Sequence, residues 1–309
     1  MMQADWEEAM ADRDSIKALL GPDYGSTRIE RVEDRETDTS LRRLRFHTTG
    51  GEAIPALYAP AAPPAPAILY CHAHGNHYDI GMQELEVGRP ALLGPYLPDL
   101  QAAGFAVLCL EMPCFGARSA LPEEATAKAR FWHGRTLFGQ MLAEQAAALD
   151  WLKAQPEIDS SRIGVMGISM GGTLAWWLAA LEPHFAAAVS MCCFADLSTL
   201  IAQGAHDGHG PYMTVPGLLK HTSTGRLSAL AAPTPLLHCV GLTDWSTPPE
   251  AFAIAQRELE AGYEAAGAAD ALAFHIATQP GHEETPQMRK TVLEFLTRHI
   301  GCDASNTGP

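Results

Sequence analysis

Positive charge is scarce: Lys and Arg total 21 against 36 Asp and Glu, a formal net charge of −15 over 309 residues. A phosphate backbone or an anionic bilayer surface would find no basic stripe to hold it, so neither nucleic acid nor membrane is expected as a partner. Long apolar runs are also missing, since none approaches the ~20 residues that span a bilayer. The amino-terminal stretch carries Asp5, Glu7, Glu8, Asp12 and Asp14, the wrong charge for a signal peptide. The seven cysteines (Cys71, Cys109, Cys114, Cys192, Cys193, Cys239 and Cys302) make no C-x-x-C pair. Odd in number and scattered, they suit a reducing compartment better than a disulfide framework, and the expectation is a cytoplasmic protein.

What is present is ordinary core material, 47% hydrophobic and 18% charged residues, enough for a single domain over 1–309. Residues 1–52 read as an N-terminal helix and edge strands. Trp6, Met10, Ile16, Leu19 and Leu20 share a helical face that Gly21-Pro22 stops. Leu41 to His47 and Ile54 to Tyr58 alternate as antiparallel strands joined at Gly50-Gly51. Beyond them, short apolar strands (67–71, 105–110, 162–167, 186–191, 236–241, 271–276) alternate with helical stretches over 93–103, 137–152 and 173–180. Further helices open at Thr247-Pro-Pro-Glu250, read as a capping box, and at Thr285-Pro286. This is an α/β pattern: a doubly wound, mostly parallel sheet with antiparallel N-terminal strands. Ligands in such sheets bind beyond the carboxyl ends of the strands. The stretch at about 195–232, with His206, His209, Tyr212 and Met213 but no sustained period, reads as a short lid or cap insert.

The strand ends hold the chemistry. Gly167-Ile-Ser169-Met-Gly171 is G-x-S-x-G set between a strand and a helix, where a serine is forced into a strained turn with its Oγ exposed at a helix N-terminus. Side chains at Gly167 or Gly171 would collide with the neighbouring turn. A serine hydroxyl needs a base, itself held by a third group. Of 13 histidines, His282 stands in the turn after the last strand. Asp244 ends the penultimate strand and would orient it, with Asp196 as the rival acid. The backbone N–H of Met170, directly after the nucleophile, would receive part of the oxyanion charge.

The order Ser169, Asp244, His282 is that of the α/β-hydrolases. From about residue 53 to 300 the chain resembles that superfamily, and within it the bacterial serine esterase branch of dienelactone-hydrolase-like and acetyl-esterase-like proteins. The resemblance is carried by GISMGG at 167–172, GLTDWSTP at 241–248, QPGHE at 279–283, HAHGNH at 72–77 and EMPCFGARS at 111–119. Dienelactone hydrolases proper are associated with a cysteine nucleophile, from which Ser169 departs. The resemblance implies a second oxyanion donor in the loop after strand 67–71, with Asn76 N–H the first choice and His77 the second. His77, Tyr78, Phe115, Trp132, Tyr212 and Trp245 are candidates for the substrate pocket.

The expected activity is therefore hydrolysis of small to medium carboxylic esters through an acyl-enzyme, with a small-molecule ester as substrate and neither cofactor nor metal. A homo-oligomer is compatible with the sequence. Three other readings compete. His72, His74 and His77 nearly match the H-x-H-x-D-H zinc pattern of metallo-β-lactamase-like hydrolases, but Asn76 replaces the acidic ligand. A prolyl-oligopeptidase-type serine peptidase shares the catalytic order, although the ~60 residues before the hydrolase core cannot form the propeller such enzymes usually carry. A non-catalytic scaffold of the same fold is the third.

Overall fold

Apolar runs too short for buried helices build the middle of the sheet. The computed structural model describes residues 12–35, 40–51, 53–279 and 281–301; Trp6, Met10 and Cys302, invoked above, lie outside them. Helix α1 (Arg13–Leu20) buries Ile16 and Leu20 and ends at Gly21, whose φ of 100° takes the left-handed region. Strands β1 (Ile29–Asp34), β2 (Arg42–Thr48) and β3 (Ala53–Ala59) follow as an antiparallel edge. Next come β4 (Ala65–Cys71), α2 (Glu84–Val87), α3 (Leu97–Ala102), β5 (Ala106–Leu110), α4 (Glu123–Trp132), α5 (Leu137–Lys153) and β6 (Ile158–Ile168). The chain continues through α6 (Met170–Leu181), β7 (Ala187–Met191), α7 (Leu197–Ala202), α8 (Thr224–Ala229), β8 (Leu236–Gly241), α9 (Pro249–Ala265), β9 (Leu272–Ala277) and α10 (Pro286–Ile300).

All nine strands form one sheet in the order β1-β2-β3-β5-β4-β6-β7-β8-β9, parallel from β5 through β9. Successive side chains alternate faces. Ala67, Leu69 and Cys71 pack with α5 and α6 on one side, while Ile68 and Tyr70 pack with α3 and α10 on the other. The strand order reverses at β4, with β5 on one flank and β6 on the other. That reversal opens a crevice at the carboxyl ends of β4 and β6, where HAHGNH and GISMGG meet.

The structure differs from the sequence reading at several elements, among them the 195–232 stretch, which holds the short helices α7 and α8. The helix expected over 93–103 spans only Leu97–Ala102, because Pro98 fits only a first turn and so sets where the helix can begin. No capping box opens α9: its N-cap is Pro248, without a side-chain cap, and Thr247 Oγ1 has no hydrogen-bond partner. Helix α4 was not foreseen, its weakly patterned EEATAKARFW giving little periodic signal. Thr285 does cap α10, accepting the Met288 N–H at 3.1 Å.

His238 lies mid-strand in β8, its ring 3.9 Å from that of Phe194 and 5.7 Å from that of Phe274, and neither nitrogen has a partner. Burial pushes its pKa down to about 3. The unfolded chain takes up that proton near pH ~6.5, so between the two values it binds more protons than the native protein. Stability therefore falls as pH drops through this window. Buried His72, pushed down to about 3, acts with the same sign. His238→Phe is expected to flatten the fall, its Tm advantage over wild type growing as pH is lowered from about 7.5 to about 4.5. A pH-independent difference would show that the ring is not held neutral.

Candidate active site

Ser169 joins β6 to α6 with φ 57° and ψ −122°, a strained conformation for a side-chain-bearing residue. The Ser169 N–H donates to Met191 O at 2.8 Å. The flanking glycines are required by close approach. A Cβ on Gly171 would fall 1.9 Å from the Cys71 carbonyl oxygen, and one on Gly167 would fall 2.4 Å from the Gly171 carbonyl carbon. Both obstacles are backbone, so neither can rotate away. Gly171→Ala is expected to lower both Tm and kcat/KM, the latter by about 10²-fold or more, since displacements of about 1 Å at a nucleophile have that effect. Retention of wild-type rate in the purified variant would show that the turn has slack.

Ser169 Oγ lies 2.8 Å from His282 Nε2, and His282 Nδ1 lies 2.9 and 3.0 Å from the two carboxylate oxygens of Asp244. The Asp244 side chain is fully buried. Its Oδ1 also accepts the Ser246 N–H at 2.8 Å and the Ser246 hydroxyl at 2.7 Å, which fixes the carboxylate plane. The turn carrying His282 is anchored by its neighbour. Glu284 donates its N–H to Ala91 O at 2.8 Å, while its carboxylate accepts the Leu93 N–H at 3.0 Å, the Tyr96 hydroxyl and the Arg289 guanidinium. Asp196 is elsewhere engaged, capping α7 through the Thr199 N–H and hydroxyl, both at 2.8 Å.

The loop after β4 is tied internally. Buried His72 is satisfied at both nitrogens, Nδ1 3.0 Å from Ala73 O and Nε2 accepting the Met112 N–H at 3.1 Å. His74 Nε2 lies 2.5 Å from Glu123 Oε2, and its Nδ1 accepts the Asn76 N–H at 3.0 Å. This corrects the choice of Asn76 as oxyanion donor, because its amide already points at an imidazole. The His77 N–H is likewise engaged, donating to His74 O at 3.0 Å. Gly75, with φ 53°, lines the cleft between them. Glu123, unmarked in the sequence, ties three segments together: it also accepts the Tyr78 hydroxyl and the Tyr212 N–H, each at 2.9 Å. Burial pushes its carboxyl up, but the hydrogen bonds from His74, Tyr78 and Tyr212 outweigh that and hold it below the usual range. Glu111 accepts the Met82 N–H at 2.9 Å, and Arg118 pairs with Glu144, so both serve the turns. Among the described residues no group of three or more His, Cys, Asp or Glu side chains could hold a metal ion. Nor is any helix among them long and apolar enough to cross a membrane.

Ser169 and His282 open into a cavity of about 120 Å³, walled largely by α6 and the 195–232 segment through Trp176, Trp177, Leu197, Met213 and Leu218. Two of the expected pocket residues, Tyr212 and Trp245, line it. Four do not. Phe115 is fully buried beneath the loop, its ring 5.1 Å from that of His74. Tyr78 stacks on Phe115 and is held by Glu123, and His77 closes the exposed turn. Trp132 ends α4 at 89% exposure, away from the cleft. Trp176 and Trp177 were missed as lining because their helical spacing reads as core.

The prolyl oligopeptidase family matches residues 132–303, more than half of the chain. The Bacillus subtilis protein YtaP, named as a hydrolase, is 35% identical over 296 residues, covering 93% of this chain and 98% of its own. Among solved structures, acetyl xylan esterase 1 from Thermoanaerobacterium sp. superposes with a TM-score of 0.64 at 19% identity, over 96% of this chain and 98% of its own. A family 15 glucuronoyl esterase from Caldicellulosiruptor kristjansonii gives 0.65 at 20%, over 96% and 86%. At these identities the two structures speak for the α/β-hydrolase fold alone. Taken with the sequence matches, they make the chain a serine hydrolase belonging to the prolyl oligopeptidase family of the α/β-hydrolase superfamily.

Proposed function

We propose that the chain is a carboxylic-ester hydrolase of small to medium esters that works through an acyl-enzyme. The observation that carries this reading is the unbroken chain Asp244–His282–Ser169 ending in an apolar cavity of about 120 Å³. A void of about 150 Å³ holds a benzene-sized guest, so this one suits short acyl groups. Ser169 Oγ attacks the ester carbonyl as His282 Nε2 takes its proton. The Met170 N–H, at the first position of α6 and without an intrahelical acceptor, meets the developing oxyanion. Gly75 N–H, which none of the hydrogen bonds above engages and whose residue lines the cleft, takes the second donor role in place of Asn76. His282 then protonates the leaving alcohol. Water, deprotonated by the same imidazole, releases the acid and restores Ser169.

The family's name favours a second reading, a peptidase. One panel separates the two: p-nitrophenyl esters from acetate to octanoate beside an aminoacyl p-nitroanilide. Acetate to butyrate should exceed octanoate by about tenfold or more in kcat/KM and the anilide by about 10²-fold. Faster anilide cleavage would make it a peptidase.

A further inference from the structure

Gly208-His209-Gly210 spans from one wall of the cleft to the other. On one side a Cβ on Gly208 would fall 2.4 Å from the Trp245 ring, which lies 5.6 Å from the ring of His282. On the other a Cβ on Gly210 would fall 2.7 Å from Glu123 Oε1 and 3.2 Å from His74 Nε2. The segment is thus wedged between the His282 wall and the loop after β4, and the side chain held between its glycines is His209. Its imidazole lines the cleft, 5.4 Å from the Trp245 ring, and its Nε2 is buried with no hydrogen-bond partner. A buried polar nitrogen left unpaired is unfavourable; a purely packing role would be filled better by an apolar residue. Burial, together with the neighbouring imidazoles of His206 and His282, pushes its pKa down to about 4, so it is neutral at ordinary pH.

The half of the substrate it meets follows from the path of the proton. His282 delivers the proton to the leaving oxygen, so the alcohol departs along the His282 flank. Trp245 and His209 stand on that flank. Among the described residues, a second cleft-lining side-chain nitrogen buried without a partner, Trp176 Nε1, belongs to α6, which begins directly after Ser169, and is assigned to the acyl side.

Resting on the ester-hydrolase reading, we propose that His209 is a specificity-determining residue for the alcohol half: its Nε2 hydrogen-bonds a free hydroxyl on the carbon next to the esterified one, beside the Trp245 ring. Preferred substrates are then partial esters of polyols. The test compares 2-hydroxyethyl acetate with propyl acetate, where methyl replaces the hydroxyl, in wild type, His209→Phe and His209→Gln. The readout is the ratio of the two kcat/KM values, which is insensitive to a general loss of activity. Wild type should favour the hydroxylated ester by about tenfold or more. The ratio should fall to about one in His209→Phe and be partly kept in His209→Gln, whose amide can still hydrogen-bond. A wild-type ratio near one, or an unchanged ratio in His209→Phe, overturns the assignment. p-Nitrophenyl acetate separates this failure from that of the underlying reading: if wild type cleaves it, only the role of His209 falls, and if it cleaves no ester at all, both fall.

Discussion

Ser169→Ala should lower kcat for ester hydrolysis by about 10⁴-fold or more, because a nucleophile and its base act as a unit and removing either forfeits nearly all of their joint effect. The hydroxyl is 2.8 Å from His282 Nε2, and alanine leaves that imidazole with nothing to activate but water. The fold should not suffer. Ser169 holds φ 57°, which any residue with a Cβ adopts at a cost, so Ser169→Ala should melt close to wild type. Ser169→Gly, inactive in the same degree, should melt higher than Ser169→Ala because glycine takes this conformation without strain. Thermal melts with single-turnover kinetics check both. Substantial residual turnover in Ser169→Ala would remove the serine from the mechanism, and a lower Tm for Ser169→Gly would show that the turn is unstrained.

The second large effect is expected at Asp244. Its carboxylate accepts from His282 Nδ1 while held by the Ser246 N–H and hydroxyl. Asparagine keeps the shape but can turn an NH₂ toward Nδ1, favouring the tautomer whose proton sits on Nε2 and faces Ser169. Such a histidine cannot take the serine proton, and a fall of about 10⁴-fold in kcat follows. Asp196→Asn should change kcat by no more than a few-fold, since Asp196 caps α7 through Thr199 and asparagine is an equally good N-cap. Equal losses in the two variants, or a larger one at 196, would exchange their roles.

Much of this was legible in the sequence because it is written locally. G-x-S-x-G between an apolar strand and a helix specifies its own turn, although the Cys71 carbonyl that crowds both Gly167 and Gly171 comes from the neighbouring strand β4. Strands β7 and β8 and the second half of β6 are short, largely apolar runs buried throughout, and β9 is the half-buried edge strand beside them, so the carboxyl ends that carry Ser169, Asp244 and His282 could be placed in order. What could not be read depends on distant segments meeting. Glu123 opens a helix with weak periodicity, and only the folded chain brings it to His74, Tyr78 and Tyr212 at once. The amide of Asn76 looked available because nothing in HAHGNH shows that the His74 ring turns back to accept it. Trp132 shares its residue type with true pocket aromatics, and only the orientation of α4 sends it to solvent. Trp176 and Trp177 fail in the opposite sense, since a helix that is apolar all round does not announce which face borders a cavity.

The central claim, that Ser169 is a nucleophile activated by His282, is tested most directly by covalent trapping. Incubation with a fluorophosphonate followed by peptide mass mapping should find one phosphonylated residue, Ser169, with inactivation of ester turnover running in parallel. Labelling should be lost in Ser169→Ala and slowed by orders of magnitude in His282→Ala. A wild-type protein that hydrolyses esters yet takes up no label, or carries it on a residue other than Ser169, would contradict the account.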